Sequence, residues 1–539
     1  MAELSELTKK LISQYKLAQQ QNLPKQGVPT IHVDEFASSV AAFYEKIRMV
    51  VDWKEEHLMR RTAITRKLKR RFLNADLNNI SSSESIAEPL ILELVRTGHF
   101  PNDKIEESKI TIIQNVLNKY IYILRKCPQD QNPRKKMQFY NWLIEIAACE
   151  IEENLATSRR ESALIDYMFN SMKEKIIVSD KILKRNKLTQ EEKNIQIYIA
   201  VQQSLYKLDN PLISYNLIKY KYPQWGKADK NFISEISQNV YKLWDEIDDK
   251  LTHPLGKKFY AICEKYDTPY LLLGDILSEE NIEKISGPEV LEDLIKKAYN
   301  KRRATLRQRI QRAAYYSTLS ALITNAFSVF LIEIPIAFWI YGAFSSSPFL
   351  TISVDIFAPT VLMLFMVSTI KMPSKTNRSL VVMETMKIAY QKEKTDFYEI
   401  KSNRKKGVLT TALISFIYLA TAVFSFWLIF IIFEKAKFPI TSVIINITLI
   451  SIISFAGLAI RKKGEELTIE TKKTSFFSFL FDILSLPIAG TGRWLSNKWK
   501  KYNAIVAFFN AMIDAPFAVF VEFLEQWRYF IKDKNEEIR

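Results

Sequence analysis

Four apolar segments of membrane-spanning length lie close together in the second half of this chain and restrict what it can fold into. They cover residues 318–341, 349–370, 408–433 and 440–460. A spanning helix needs about 20 mostly apolar residues, and a helix of a soluble protein is rarely apolar on every side over such a length. The sequence therefore predicts a bundle of four transmembrane helices.

The charges of the connecting segments predict the orientation of this bundle. The stretch KKAYNKRRATLRQRIQR before the first span holds eight Lys or Arg and no acid, and residues 371–407 hold ten against four acids. The segment GAFSSSPF between the first two spans is uncharged. Lys and Arg concentrate in cytoplasmic loops. We therefore expect a multi-pass membrane protein with both termini in the cytosol.

The first half of the chain differs from the second and predicts a soluble, all-α domain. The whole chain of 539 residues has only 12 glycines and 18 prolines, so tight turns are few and helix formers dominate. We expect a flexible segment over residues 1–33 and a cytosolic helical domain over 34–287. A basic helix over 288–317 has no breaker after Pro288 and can continue into the first span.

Residues 461–539 contain two apolar segments that carry narrow polar stripes at helical spacing. This pattern predicts a pair of amphipathic helices at the membrane surface or a shallow re-entrant pair; two further spans remain the alternative. Bends are expected at Pro487, Gly490, Gly492 and Pro516. The residues expected at the interface are Asp482, Trp494, Asp514 and Trp527.

Two basic clusters are candidates for contact with anionic lipid or nucleic acid. The first lies in RRTAITRKLKRRF and the second in the helix before the first span. Their members are Arg60, Arg61, Arg66, Lys67, Lys69, Arg70, Arg71, Arg302, Arg303, Arg307, Arg309 and Arg312. Basic segments beside a membrane attract anionic headgroups. For the first cluster we expect a solvated helix face, with contact to anionic lipid or to RNA as the alternatives, and no base-reading motif or aromatic interleaving accompanies it.

Two carboxylates lie within the apolar segments. Glu333 lies in FSVFLIEIPIAFW and Asp355 in the second span. At 1.5 Å per residue, Glu333 is roughly 12 Å and Asp355 roughly 9 Å from the outer ends of their helices, so the two share a depth. A charge at this depth costs about 2.5–3.5 kcal/mol, so such residues usually have partners.

Three roles for this carboxylate pair remain open. A protonated carboxyl could hydrogen-bond across the bundle, and the polar residues available in the third and fourth spans are Thr411, Ser415, Tyr418, Asn446 and Ser454. A shared proton or a bound cation is the second role. A contact between copies of the chain is the third.

Other residue patterns give no sign of a catalytic, cofactor or metal site. The densest acidic cluster is Glu145, Glu150, Glu152 and Glu153, but no histidine lies three positions from any of them, so we expect a polar helix face. No nucleotide-binding loop, zinc motif or nucleophile elbow is present. Three cysteines fall at no redox or metal spacing. We expect no enzyme activity, no cofactor and no bound metal.

Three stretches carry a resemblance to other sequences: SIAEPLILELVRTGHFPNDKI, EEKNIQIYIAVQQSLYKLDNPLISYNLI and NAIVAFFNAMIDAPFAVFVEFLEQWRYFIKDKNEE. They resemble multi-span membrane proteins of candidate-phyla-type bacteria, a group with no assigned activity. The resemblance implies a bacterial cytoplasmic membrane and nothing about catalysis.

Three functions follow from these observations as hypotheses. The first is a non-enzymatic membrane scaffold, whose cytosolic domain binds a protein partner or the anionic inner leaflet. The second is a proton- or cation-coupled transporter or channel subunit that uses Glu333 and Asp355, with association of identical chains to complete a path. The third, a tether for RNA or ribosomes, requires the Arg60–Arg71 run to be accessible.

Overall fold

The structure is a computed structural model. It describes residues 3–21, 27–33, 56–74, 85–128, 132–156, 159–179, 188–279, 287–342, 348–390, 397–400, 408–435, 438–470 and 476–501, with Phe523, Gln526, Trp527, Phe530 and Ile531. These residues are almost entirely helical, which confirms the all-α prediction. Apolar residues at helical spacing also predict a helix from Asp34 to Val51, and these residues lie outside the described ones.

The helices of the soluble half are α1 (Glu6–Gln21), α2 (Glu56–Asn74), α3 (Ala87–Arg96), α4 (Ser108–Lys126), α5 (Pro133–Leu155), α6 (Arg159–Lys175), α7 (Gln190–Tyr206), α8 (Asn210–Lys221), α9 (Lys230–Leu251), α10 (Gly256–Lys265) and α11 (Asp267–Ser278). Their starts follow from local sequence. Thr189 and Glu192 have the sequence spacing of a capping box and form one at the start of α7, and Asp209 caps α8. Side-chain caps satisfy backbone N–H groups that a helix leaves unpaired.

The sequence predicts a flexible segment over residues 1–33, but α1, which lies within it, packs into the domain. Leu11 and Tyr15 are almost completely buried. The Thr8 hydroxyl lies 2.8 Å from the Tyr167 hydroxyl and donates to the carbonyl oxygen of Ala389 at 3.1 Å. Apolar residues three to four positions apart form one face of this helix. Four turns of such a face are enough for the helix to pack against the domain.

The hydrophobic core of the soluble half also includes residues beyond 287, the predicted boundary of the domain. Between the second and third spans lie α15 (Lys375–Tyr390) and the strand β2 (Tyr398–Ile400), which pairs in parallel with β1 (Ile176–Val178). Val381, Ile388 and Leu467 belong to the same hydrophobic core as the first half of the chain. Connecting segments from the membrane half are therefore built into the domain.

The first span continues a helix of the soluble domain, as predicted. Helix α12 (Pro288–Ser328) passes through a π-helical turn, Val329–Glu333, into α13 (Ile334–Tyr341) without a break. The remaining spans are α14 (Pro348–Ser368), α16 (Val408–Lys435) and α17 (Ile440–Lys463).

Four of the described helices are long and apolar enough to cross a membrane. They are Pro288–Ile340, Thr351–Ser368, Leu409–Lys435 and Ile440–Lys463. Large apolar side chains point outward from them; Trp339 and Phe349 are 86% and 87% exposed. Such outward apolar surface is unfavourable in water and suits a lipid environment.

The first C-terminal apolar segment is one helix, α18 (Phe476–Lys501), which continues through Pro487 and both glycines at which bends were expected. It packs against the third and fourth spans: the Ser425 hydroxyl donates to the carbonyl oxygen of Leu484 at 3.0 Å. Asp482 lies on this helix, and Trp494 is exposed. The second segment, including Asp514 and Pro516, lies mostly outside the described residues; within it, Trp527 is half exposed and stacks on Phe523.

Candidate intramembrane carboxylate site

Glu333 lies at the end of the π-helical turn in the first span, and its side chain is 1% exposed. The local cause is Pro335, which lacks an N–H group for the carbonyl of Leu331 and whose ring crowds the preceding turn. Widening the helix by one residue relieves this crowding, and π turns often occur at functional sites. The Ser328 hydroxyl donates to Glu333 Oε1 at 3.2 Å.

Asp355 lies on the second span and is equally buried, at 1% exposed. The side-chain amide of Asn446, on the fourth span, donates to Asp355 Oδ1. Pro359 follows four residues later inside the same helix, so it supplies no N–H to the carbonyl of Asp355. Three helices therefore contribute polar groups at one level of the bundle.

The two carboxyl groups lie close enough together to interact. The shared depth that the residue count predicts is thus realised as a contact. Ser442, on the fourth span, lies beside Glu333. A carboxylate pair in an apolar environment cannot carry two full charges without compensation, because desolvation and mutual repulsion both oppose it.

Several oxygens of this cluster have no hydrogen-bond partner among the described residues. They are Glu333 Oε2, Asp355 Oδ2, Ser442 Oγ and Asn446 Oδ1, and Asn325 Oδ1 on the first span shares this condition. Leaving a buried polar group unsatisfied costs about 1–3 kcal/mol, and more when the group is charged. The cluster is therefore short of donors or positive charge.

A proton or a small cation could satisfy these oxygens. One shared proton would let one carboxyl donate to the other. A hard cation would instead take the oxygens as ligands, since carboxylate, hydroxyl and amide oxygens are what such ions prefer. Among the described residues, no group of three or more His, Cys, Asp or Glu is placed to hold a metal ion.

The sequence anticipated part of this cluster. Asn446 is the one of the five neutral candidates that reaches a carboxylate here; Thr411, Ser415 and Tyr418 face outward. Ser328 and Ser442 were missed. The available signal was their spacing, since each lies four or five residues before a predicted member of the cluster on the same helix.

The first basic cluster is turned inward against acids of the soluble domain. Glu93, on α3, accepts from the side chains of Lys67 and Arg71, and Arg61 pairs with Asp209. The other pairs are Arg60 with Glu152, Lys69 with Glu145 at 3.7 Å and Arg70 with Glu93 at 3.9 Å. Arg66, between them, is half-buried. Much of this positive charge is neutralised within the fold.

The second basic cluster is mostly open. Arg302 pairs with Asp275 on α11. Arg303, Arg307, Arg309 and Arg312 are exposed and make no ion pair within the part of the chain that the structure describes. Tyr315 and Tyr316 follow at once and are exposed as well. Arginines followed by aromatic residues at the start of a span are typical of a helix crossing the headgroup region.

The acidic cluster of α5, for which we expect a polar helix face, is partly buried and paired within the domain. Glu150 is 1% exposed and accepts from Lys119 Nζ at 2.6 and 2.8 Å, from the Tyr120 hydroxyl at 2.7 Å and from Trp225 Nε1 at 3.0 Å. Glu152 is buried and paired with Arg60. Distant helices supply these partners, and no local spacing reveals them.

Asp267 lies where the soluble domain meets the segment after the fourth span. The Thr268 hydroxyl is within reach of both Asp267 Oδ1 and the carbonyl oxygen of Glu466, each at 3.2 Å. Burial raises the pKa of Asp267 from 3.8 to about 7, although Lys207 opposes the shift. Its charge state therefore changes near neutral pH at a contact between the domain and the membrane half.

Comparison with known proteins gives no match: no family model, no curated protein and no solved structure is similar to this chain.

Proposed function

We propose that this protein is a proton- or cation-coupled membrane transporter or channel subunit whose ion-binding site is the pair Glu333 and Asp355. One observation carries the proposal: two adjoining carboxyls buried within membrane-spanning helices, each with an unsatisfied oxygen. Ionisable groups inside a membrane are costly and commonly mark ion or proton pathways. Neutral oxygens of Ser442 and Asn446 would complete the binding site.

The arrangement of the helices supports a site whose occupancy can change. Glu333 ends a π-helical turn and Asp355 lies four residues before Pro359, so both lie where the regular helical hydrogen bonding is interrupted. Such interruptions are tolerated at membrane depth where protein or a cavity surrounds them. Four spans enclose little space for a continuous path, so we also propose that copies of the chain associate.

The test is ion flux in liposomes that contain the purified full-length protein. Proton flux is followed with an internal pH dye under an imposed potential, and Na⁺, K⁺ and Ca²⁺ are compared as carriers. We expect flux with at least one of these ions, abolished by combining Glu333→Gln with Asp355→Asn. Glu434→Gln is the matched control, because Glu434 is an exposed carboxylate at the end of the third span.

Two results would overturn the proposal. One is flux no greater than that of protein-free liposomes with every ion tested. The other is undiminished flux in the double variant, since the carboxylates would then be packing elements only.

A second candidate function is a membrane scaffold that presents its helical domain to a protein partner or the inner leaflet. The observation that favours it is the inclusion of α15, β2 and residues 464–470 in the domain core, which holds the domain at the membrane surface. The exposed arginines before the first span would contact anionic headgroups. A scaffold would keep its interactions in the Glu333→Gln, Asp355→Asn variant.

An RNA or ribosome tether has less support, because the Arg60–Arg71 run is largely engaged by acids of the domain. Reversing exposed charge at Arg70 should leave co-purifying RNA unchanged. A marked loss of bound RNA would restore the hypothesis.

The membrane orientation is part of the proposal. The domain, the second connecting segment and the segment after the fourth span pack together, so they share one side. We propose that this side is the cytosol of a bacterial cell. Accessibility tags at Ser346 and Lys437 should react from outside; a cytosolic Ser346 would reverse the orientation.

A further inference from the structure

A cavity of about 830 Å³ lies in the soluble domain, away from the carboxylate site. It is formed by α4, the end of α5, the short 3₁₀ turn Trp225–Lys227 and the start of α9. Cavities of roughly 300–1,000 Å³ are the size that small ligands occupy.

The floor of this cavity is rigid and electrically balanced. Lys119 lies between the two oxygens of Glu150 and the carbonyl oxygen of Trp225, which it reaches at 2.9 Å. All three residues are buried, and the Trp225 indole donates back to Glu150. A fully bonded network of this kind holds the surrounding side chains in place.

The rim, in contrast, carries positively charged side chains. Arg125, Lys227 and Lys230 line the cavity, and Glu150 is the one acid that lines it. Lys227 and Lys230 are exposed and make no ion pair with any residue that the structure describes. Because Lys119 is paired with Glu150, the exposed Lys227 and Lys230 give the rim a positive charge that no acid among the lining residues balances.

The remaining lining combines apolar and amide groups. Ile112 and Ile233 form an apolar wall, and Asn115, Asn118 and Asn154 provide amides. Ile112 and the lining residue Tyr122 are 40% and 38% exposed, so an apolar ligand surface would cover side chains that now face solvent. An inorganic anion would use the charges and leave this wall uncovered.

We propose that this cavity binds an organic phosphate of nucleotide size, with its phosphates at Lys227 and Lys230 and its organic part against Ile112 and Ile233. Charge complementarity selects the anion, and the apolar wall selects the organic part. The proposal is independent of ion transport, because none of these residues belongs to the membrane spans.

Binding of ATP, ADP and GTP is measured by calorimetry on the full-length protein in detergent, with inorganic tripolyphosphate as a probe of charge alone. Combining Lys227→Glu with Lys230→Glu should weaken nucleotide binding by at least about tenfold. The control combines Lys242→Glu with Lys257→Glu, which makes the same charge change at exposed lysines that do not line the cavity.

A second variant separates loss of binding from loss of fold. Asn115→Trp fills the cavity from an exposed position without changing charge, and should also abolish binding while the melting temperature stays unchanged. Absence of nucleotide binding at millimolar concentration overturns the proposal. Equal affinity for tripolyphosphate and nucleotides overturns the assignment of an organic ligand, and equal loss in the control pair shows nonspecific charge attraction only.

Discussion

Gly492 on α18 lies against the backbone of Ser451 on the fourth span so closely that a β-carbon at position 492 would overlap the Ser451 carbonyl oxygen. Small residues permit such close approach between helices in membranes. Helix α18 therefore packs directly against the fourth span.

Replacing this glycine should loosen the bundle. Gly492→Ala forces backbone against a β-carbon, and overpacking of this kind costs about 1–3 kcal/mol. We expect a lower midpoint of thermal unfolding in detergent. Gly490→Ala is the control on the same helix, because its β-carbon would meet only the hydroxyl of the Tyr418 side chain at 3.3 Å, and that side chain can move. Equal effects of the two variants would argue against the close packing.

Asp267 should make stability depend on pH. Between its unfolded value of 3.8 and its raised pKa of about 7, the folded protein retains a proton that the unfolded chain has lost, so stability falls as pH rises through this range. Ionisation of the buried Asp267 lowers the free energy of unfolding of the natural protein by about a few kcal/mol, and Asp267→Asn should remove this decrease. The stability of the variant should therefore exceed that of the natural protein most clearly above pH 7.

Denaturant unfolding at several pH values measures this effect. Asp293→Asn is the control, because Asp293 is exposed and makes a surface pair with Lys297. If the free energy of unfolding changed with pH in the same way for the natural protein and for Asp267→Asn, the burial of this carboxyl would be contradicted.

The Lys119–Glu150 pair should be essential to the domain as a pair. Glu150→Gln leaves Lys119 with a buried charge that has lost its carboxylate, and breaking a buried pair typically costs about 3–5 kcal/mol. Adding Lys119→Met should recover part of that loss, because it removes the uncompensated charge. Chemical denaturation of the single and double variants gives the coupling energy; additive losses would mean that the two charges do not interact.

The hydrogen bonds of the Asn377 side chain should hold the membrane half of the chain and the domain together. Its side chain is fully buried, donates to the Tyr299 hydroxyl at 3.0 Å and to the Leu467 carbonyl at 2.7 Å, and accepts from the backbone N–H of Ile469 at 2.9 Å. Asn377→Ala leaves these groups unpaired, at about 1–3 kcal/mol each.

The expected result is faster hydrogen exchange in residues 464–470, with little change in α4 and α5. Thr376→Ala, at the exposed neighbouring position, is the control. Unchanged exchange in residues 464–470 would show that other contacts hold this segment.

The features that the sequence predicted are those set by local chemistry. Hydropathy over one helix length identified the spans, the capping box at Thr189 marked a helix start, and two helices joined by a short turn set Glu333 and Asp355 at one depth. Each depends on residues close together in the chain, or on one simple connection between helices.

The features that it did not predict depend on long-range packing. Lys119 and Glu150 come from different helices, and the buried face of α15 includes the polar residues Asn377 and Thr385, so the sequence reveals neither the ion pair nor the packing of α15. The basic run from Arg60 to Arg71 looked accessible because its acidic partners, such as Glu93 and Asp209, lie elsewhere in the sequence.

The unbroken helix from Pro288 to Tyr341 has a consequence for motion. At 1.5 Å per residue, Glu333 lies roughly 68 Å along this rod from Pro288. Its hydrogen-bonded backbone resists twisting, so a rotation of the soluble domain about the rod would arrive at Glu333 as torque. The π-helical turn already departs from the hydrogen-bond pattern of an α-helix. A shift of the hydrogen-bond register at this turn could rotate Glu333 toward or away from Asp355 at small cost.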